Sequence, residues 1–111
     1  MALIYHIADS NHWEQAQLTG FYAPPSLHTE GFIHCSEADQ LEETANFHFN
    51  SFEDILLLYI DTTKLEPELK YESSSRGQKF PHIYGPLNIE SVVKSKKVKR
   101  RADGKYKVRI A

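Results

Sequence analysis

His6, His34 and His82 sit where a small chain can do chemistry. His6 and His34 fall within short apolar runs at residues 3–7 and 31–35, and His82 lies between Pro81 and Pro86 beside Phe80, Ile83 and Tyr84. An imidazole among apolar neighbours must find a hydrogen-bond partner or cost stability, so each alone reads as a satisfied core group. Three in one kind of setting point further, because strand ends converge on clefts. Imidazole donates, accepts and titrates near pH ~6.5, which suits it to gripping sugar hydroxyls or phosphate. His12, His28 and His48 lie in polar or helical surroundings and read as surface residues. No His-Glu-x-x-His pair occurs and Cys35 has no cysteine partner, so no metal is expected.

Two stretches add to this set. At residues 31–36 a strand ends and a helix begins, which makes the free amides of residues 37–39 an anion site. Ser36 as a helix cap explains the same residues without a ligand, and both readings stand. Cys35 reads as a small buried thiol rather than a nucleophile. In residues 80–87 two prolines and Gly85 stiffen the backbone while Phe80 and Tyr84 supply flat surfaces, the composition of a rigid loop that stacks a planar ligand such as a nucleobase or nicotinamide.

The elements that must position these groups follow from the pattern. Residues 3–7 read as a buried strand, followed by a helix over about 11–18, capped by Asp9 or Ser10, closed by Gly20 and burying Trp13, Ala16 and Gln17. Pro24 and Pro25 predict a turn. Ser36 with Asp39 resembles a capping box for a second helix through about residue 47, with Leu41, Ala45 and Phe49 on its buried side. Residues 55–60, apolar throughout, predict a central strand. A brief strand at 70–72, a polar loop at 73–79 and a non-helical segment at 80–86 come next. Residues 88–101 read as one long strand, turned by a type I′ hairpin at 102–105 onto a partner strand at 106–110. Two early helices followed by strands make an α+β domain.

At 111 residues and 12.8 kDa the chain is expected to be one domain, 1–111, and its 41% hydrophobic and 25% charged content is globular. The longest apolar run has six residues, against about 18 for a membrane span, and the first residues lack the basic start and apolar stretch of a signal peptide, so no export signal is expected. A small, soluble, cytoplasmic protein with no membrane partner is expected. Its charge is uneven. Residues 94–111 carry nine basic groups and one acid, a local +8, whereas residues 1–93 carry four basic and fourteen acidic groups, or −10. That split fits either contact with nucleic acid or a solvated hairpin whose lysines guard a sheet edge.

Taken together, Ile4-Tyr5-His6-Ile7, Trp13 with Ala16, Gly20-Phe21-Tyr22, Ser26-Leu27, Glu30 to Ser36, Gln40, Ala45-Asn46, Leu57-Leu58, Ile60-Asp61, Tyr71-Glu72 and Phe80 to Leu87 resemble the family named domain of unknown function 952 over about residues 3–93. The resemblance implies an ADP-ribosyltransferase-like fold, with a split, mixed β core, outer helices and an NAD-type cleft between the sheet halves. The basic hairpin at 94–111 lies outside it.

In the wider fold one residue at the end of the first strand holds NAD, a second supports the ribose or stacks on nicotinamide, and a late glutamate steadies the ribose 2′-hydroxyl. By resemblance His6 matches the first, His34 or Ser36 the second, and His82 with Glu72 stands at the third. Tyr22, Ser26, Ser36, Tyr84 and Gly85 are the ligand-binding candidates. The implied function is an NAD-utilising ADP-ribosyl or phosphoryl transferase or glycohydrolase, with NAD as substrate. Alternatives are a non-catalytic module for a nucleotide or other phosphorylated small molecule and, through the basic hairpin, nucleic-acid binding. Neutral imidazoles suit a cationic transition state, so activity is expected to fall below about pH 6.

Overall fold

Strand β4 (Asp54–Asp61) is the axis of the molecule. The computed structural model describes residues 2–110. Its apolar run is buried on both sides because β1 (Leu3–Ala8) and β8 (Val92–Lys99) flank it, both antiparallel. Side chains alternate across a strand, so β4 feeds two cores. Leu58 and Ile60 pack with Ile4, Trp13, Ala16 and Tyr22, while Ile55, Leu57 and Tyr59 pack with Tyr5, Ile7, Leu41, Ala45 and Tyr106.

Helix α1 (Ser10–Thr19) starts at Asp9, whose carboxylate accepts from the amides of Asn11 (2.9 Å) and His12 (3.2 Å). It stops at Gly20, which takes a left-handed φ of 90° and donates its amide to Ala16. Trp13 and Ala16 are buried as expected, but Gln17 is exposed. After β2 (Phe21–Tyr22), the Pro24-Pro25 pair opens a short helix, α2 (Pro25–Thr29), instead of a plain turn. Proline suits a first helical turn because no amide is needed there.

A second sheet holds β3 (Ile33–His34), β6 (Lys79–Tyr84) and β5 (Glu68–Ser73) in the order β3-β6-β5. A bridge between Tyr5 and Ser36 joins it to β1. The segment expected to be a rigid loop at 80–87 is thus mostly the middle strand of this sheet. Pro81 is tolerated there because its carbonyl accepts from Cys35 (3.0 Å), which places its missing N–H on the β3 side, where that two-residue strand ends.

The capping box before α3 (Leu41–His48) is formed by Glu37 and Gln40 rather than Ser36 and Asp39, around a 3-10 turn at Ala38–Gln40. The expected long strand at 88–101 is broken. β7 (Leu87–Asn88) pairs with β2, a 3-10 turn follows at Ile89–Ser91, and β8 then runs beside β4 with a bulge opposite Tyr59 and Ile60. The closing turn is not type I′. Within the turn only Gly104 has a positive φ, 83°, and the Arg101 amide donates to the Lys105 carbonyl across a three-residue loop.

The return leg at 106–110 forms no strand. Asn46 of α3 brackets Tyr106, accepting from its amide (2.7 Å) and donating to its carbonyl (3.0 Å), and Glu42 accepts from the Val108 amide. A helix side chain has replaced the expected β partner. Among the described residues every ladder is antiparallel, so the core is α+β and split but not mixed. No described helix is long and apolar enough to cross a membrane.

Candidate functional site

His6, on β1, is buried with both ring nitrogens engaged. Its Nδ1–H donates to the His34 carbonyl (2.5 Å), which leaves Nε2 to accept from the Tyr22 hydroxyl (2.8 Å). Burial lowers its pKa to about 4, against the opposing pull of the His34 carbonyl. The ring is therefore neutral at neutral pH. Tyr22, buried beside it, has its pKa raised by the same desolvation.

His34 and His82 face each other as directly paired residues of β3 and β6, with ring centroids 5.5 Å apart. Each is backed by a carboxylate. His34 Nε2 donates to Glu30 (2.9 Å), and His82 Nδ1 donates to Glu72 (2.8 Å). Glu72 also accepts from the Tyr84 hydroxyl, and these hydrogen bonds, the tyrosine's first, hold its carboxyl below the usual carboxylate range. Phe32 lies flat on the His82 ring at 4.1 Å and 17°. One face of His82 is thereby covered and its Nδ1 occupied. Tyr59 Oη is the sole buried side-chain polar atom left unpartnered among the described residues, so His82 Nε2, which has no protein partner, meets solvent.

A cavity of about 730 Å³ lies at the β1 edge of the first sheet, between α1, α3 and the second sheet. Its walls include His6, Tyr22, Ser26, His34, Ser36 and His82. The exposed His12 and His48, read from sequence as surface residues, stand at the same walls, with Glu30 and Phe80. Among the described residues no lysine or arginine lines it.

Three candidates stand apart from the wall. Glu72 and Tyr84 act on it only through His82. Gly85 lies at the β6–β7 corner with φ 154°, where an added Cβ would come within 3.0 Å of the Pro67 Cβ. Its glycine is explained by backbone and packing rather than by a ligand. Gly85→Ala is expected to cost roughly 1–2 kcal/mol in chemical denaturation.

Ser26 lines the cavity but donates its hydroxyl to the Phe32 carbonyl (3.0 Å), which positions the stacking ring. Ser36 is buried and exchanges backbone hydrogen bonds with Tyr5 (2.9 and 2.7 Å). Its side chain caps no helix, and the capping role expected for it belongs to Glu37. Cys35 is fully buried and desolvation raises its pKa, so the thiolate is suppressed. Among the described residues no group of three or more His, Cys, Asp or Glu side chains could hold a metal ion.

Sequence reasoning did not pick out Phe32 and Glu30. The four-residue spacing from Glu30 to His34 was a visible signal for the second; the Phe32–His82 stack arises only from strand pairing.

The chain matches the model of a family described as "Protein of unknown function (DUF952)" over residues 7–95. Its fold is shared with the crystal structure of protein CC0527 from Caulobacter crescentus, at 33% identity and a TM-score of 0.86, covering 96% of this chain and 94% of that one. The solution NMR structure of the same protein gives 34% identity and a TM-score of 0.80, with 95% and 91% covered. No curated protein matches the chain.

Proposed function

The chain belongs to the DUF952 family, and from its cleft we propose an NAD-consuming ADP-ribosyl or phosphoryl transferase or glycohydrolase, on an ADP-ribosyltransferase-like split sheet. The observation that carries this reading is the Glu72–His82 pair. A carboxylate on Nδ1 fixes the tautomer and leaves Nε2 as a proton acceptor at a cleft wall, which is the geometry of a general base.

The residues fit one half of NAD better than the other. Imidazoles and hydroxyls suit ribose, and the His82 ring, backed on one face by Phe32, supplies a planar surface for an aromatic ring. A wall without lysine or arginine among the described residues offers no fixed positive charge to a pyrophosphate, which in this reading lies toward the cleft mouth. The same absence of fixed positive charge favours a cationic ribosyl transition state. In that step the ribose C1′–nitrogen bond breaks and its electron pair neutralises the nicotinamide ring. An acceptor hydroxyl or water bonds to C1′, and its proton passes to His82 Nε2.

Pure protein incubated with NAD is expected to release nicotinamide, measured chromatographically, with kcat/KM lowered about a hundredfold in His82→Ala and Glu72→Gln. No release with water, protein or RNA acceptors would overturn the enzymatic reading. A second reading, a module that binds a nucleotide without turnover, is favoured by His6. Both its nitrogens are occupied within the protein, as in a strut rather than a reacting group. Calorimetric binding of NAD that is lost in His82→Ala, with no product formed, would select it.

A further inference from the structure

The edge strand β8 is unused by the cleft, which lies against β1 at the opposite margin of the same sheet. Its register sorts the lysines into two rows. Lys94 and Lys96 pair with Tyr59 and Leu57 and share their face, whereas Lys97 and Lys99 pair with Leu56 and Asp54 and share the other. All four are exposed. Lys94 lies over the Tyr59 ring and Lys96 reaches the Arg109 carbonyl at 3.5 Å, and none of the four forms an ion pair among the described residues.

We infer that this ridge is a binding surface for duplex DNA, seated in the major groove and held through both phosphate walls. Cations on opposite faces of one strand address the two phosphate walls of a groove, and the major groove of B-DNA, ~12 Å wide, is the one that admits strands. The ridge continues past the strand in Arg101 and Lys105, both exposed, so the charge extends farther than the ladder.

That extension, and the bulge that interrupts β8, favour a long polyanion over an acidic peptide added as a further strand. Duplex RNA fits less well because its major groove is deep and narrow. The side chains between the cations are Ser95 and Val98, which offer little to base edges, so the contact is independent of sequence. The −10 charge of residues 1–93 opposes binding elsewhere on the molecule and orients the ridge toward DNA.

The test is fluorescence anisotropy of a labelled DNA duplex of about 20 base pairs with the full chain, across a salt series. Six phosphate contacts, from the four ladder lysines with Arg101 and Lys105, predict a log–log salt slope of about −5.4, a loss of affinity of roughly 2,000-fold between about 50 and 200 mM salt. Lys97→Gln with Lys99→Gln should cut that slope by about a third while leaving the melting temperature unchanged, since both side chains are exposed. No saturable binding at about 50 mM salt would overturn the inference. So would a slope that the double variant does not change, or equal binding of a duplex RNA or a polyglutamate peptide.

Discussion

Tyr106→Ala lowers folding stability by about 3–5 kcal/mol, the range for removing a large aromatic side chain from a core. Tyr106 is 2% exposed and fills the second core against β4, and its hydroxyl donates to the Phe52 carbonyl. Truncation leaves a cavity beneath Leu57 and Tyr59 and strands that carbonyl. The backbone around it is held by side chains of α3 rather than by a ladder, so neighbouring structure has little means to collapse into the gap. Urea unfolding monitored by circular dichroism measures the loss. Tyr106→Phe separates the contributions, because it keeps the ring and removes only the hydrogen bond, at about 1 kcal/mol. A Tyr106→Ala midpoint within error of the parent's would show that the 106–110 segment is not part of the cooperative fold.

Acidification should remove about 3 kcal/mol through His6. Its folded pKa of about 4 lies below the 6.5 of the unfolded chain, and each unit is worth about 1.4 kcal/mol. Between these values the unfolded state binds a proton that the folded state refuses, so stability rises with pH across that window. The contribution is complete above pH 6.5, falls as pH drops toward 4, and changes no further below. Glu72, whose pKa is also depressed, loses stabilisation in the same direction at lower pH. The diagnostic is therefore a comparison with His6→Gln, which cannot titrate there. Its unfolding free energy should vary less between pH 7 and pH 4 than the parent's; parallel loss in both would remove the assignment to His6.

The parts of the fold legible in the sequence are those written in short-range pattern. Asp9 and Gly20 bound α1 because capping and left-handed backbone are local requirements, and the unbroken apolar run at 55–60 announces a strand covered on both faces. What failed was decided by distant partners. The prolines rightly exclude a helix at 80–86, but the rigid loop expected there is a middle strand, which admits Pro81 because its missing donor falls where β3 stops. The hairpin signal at 102–105 does make a turn, but Asn46 captures the following residues before they can pair. His6, His34 and His82 drew notice by their apolar settings. Their different duties, one sealed between Tyr22 and a carbonyl and two backed by carboxylates, depend on pairings that no local window contains.

Pro81 has one more effect, on strand slippage. A ladder as brief as β3 ordinarily slides with little resistance. Moving β3 by one residue would turn Ile33, fully buried at 0% exposure, out into water. It would also bring a different carbonyl opposite the proline nitrogen, which has no hydrogen to give. The proline and the isoleucine thus act like a pawl, indexing β3 at a single notch, the one that keeps the two rim imidazoles side by side.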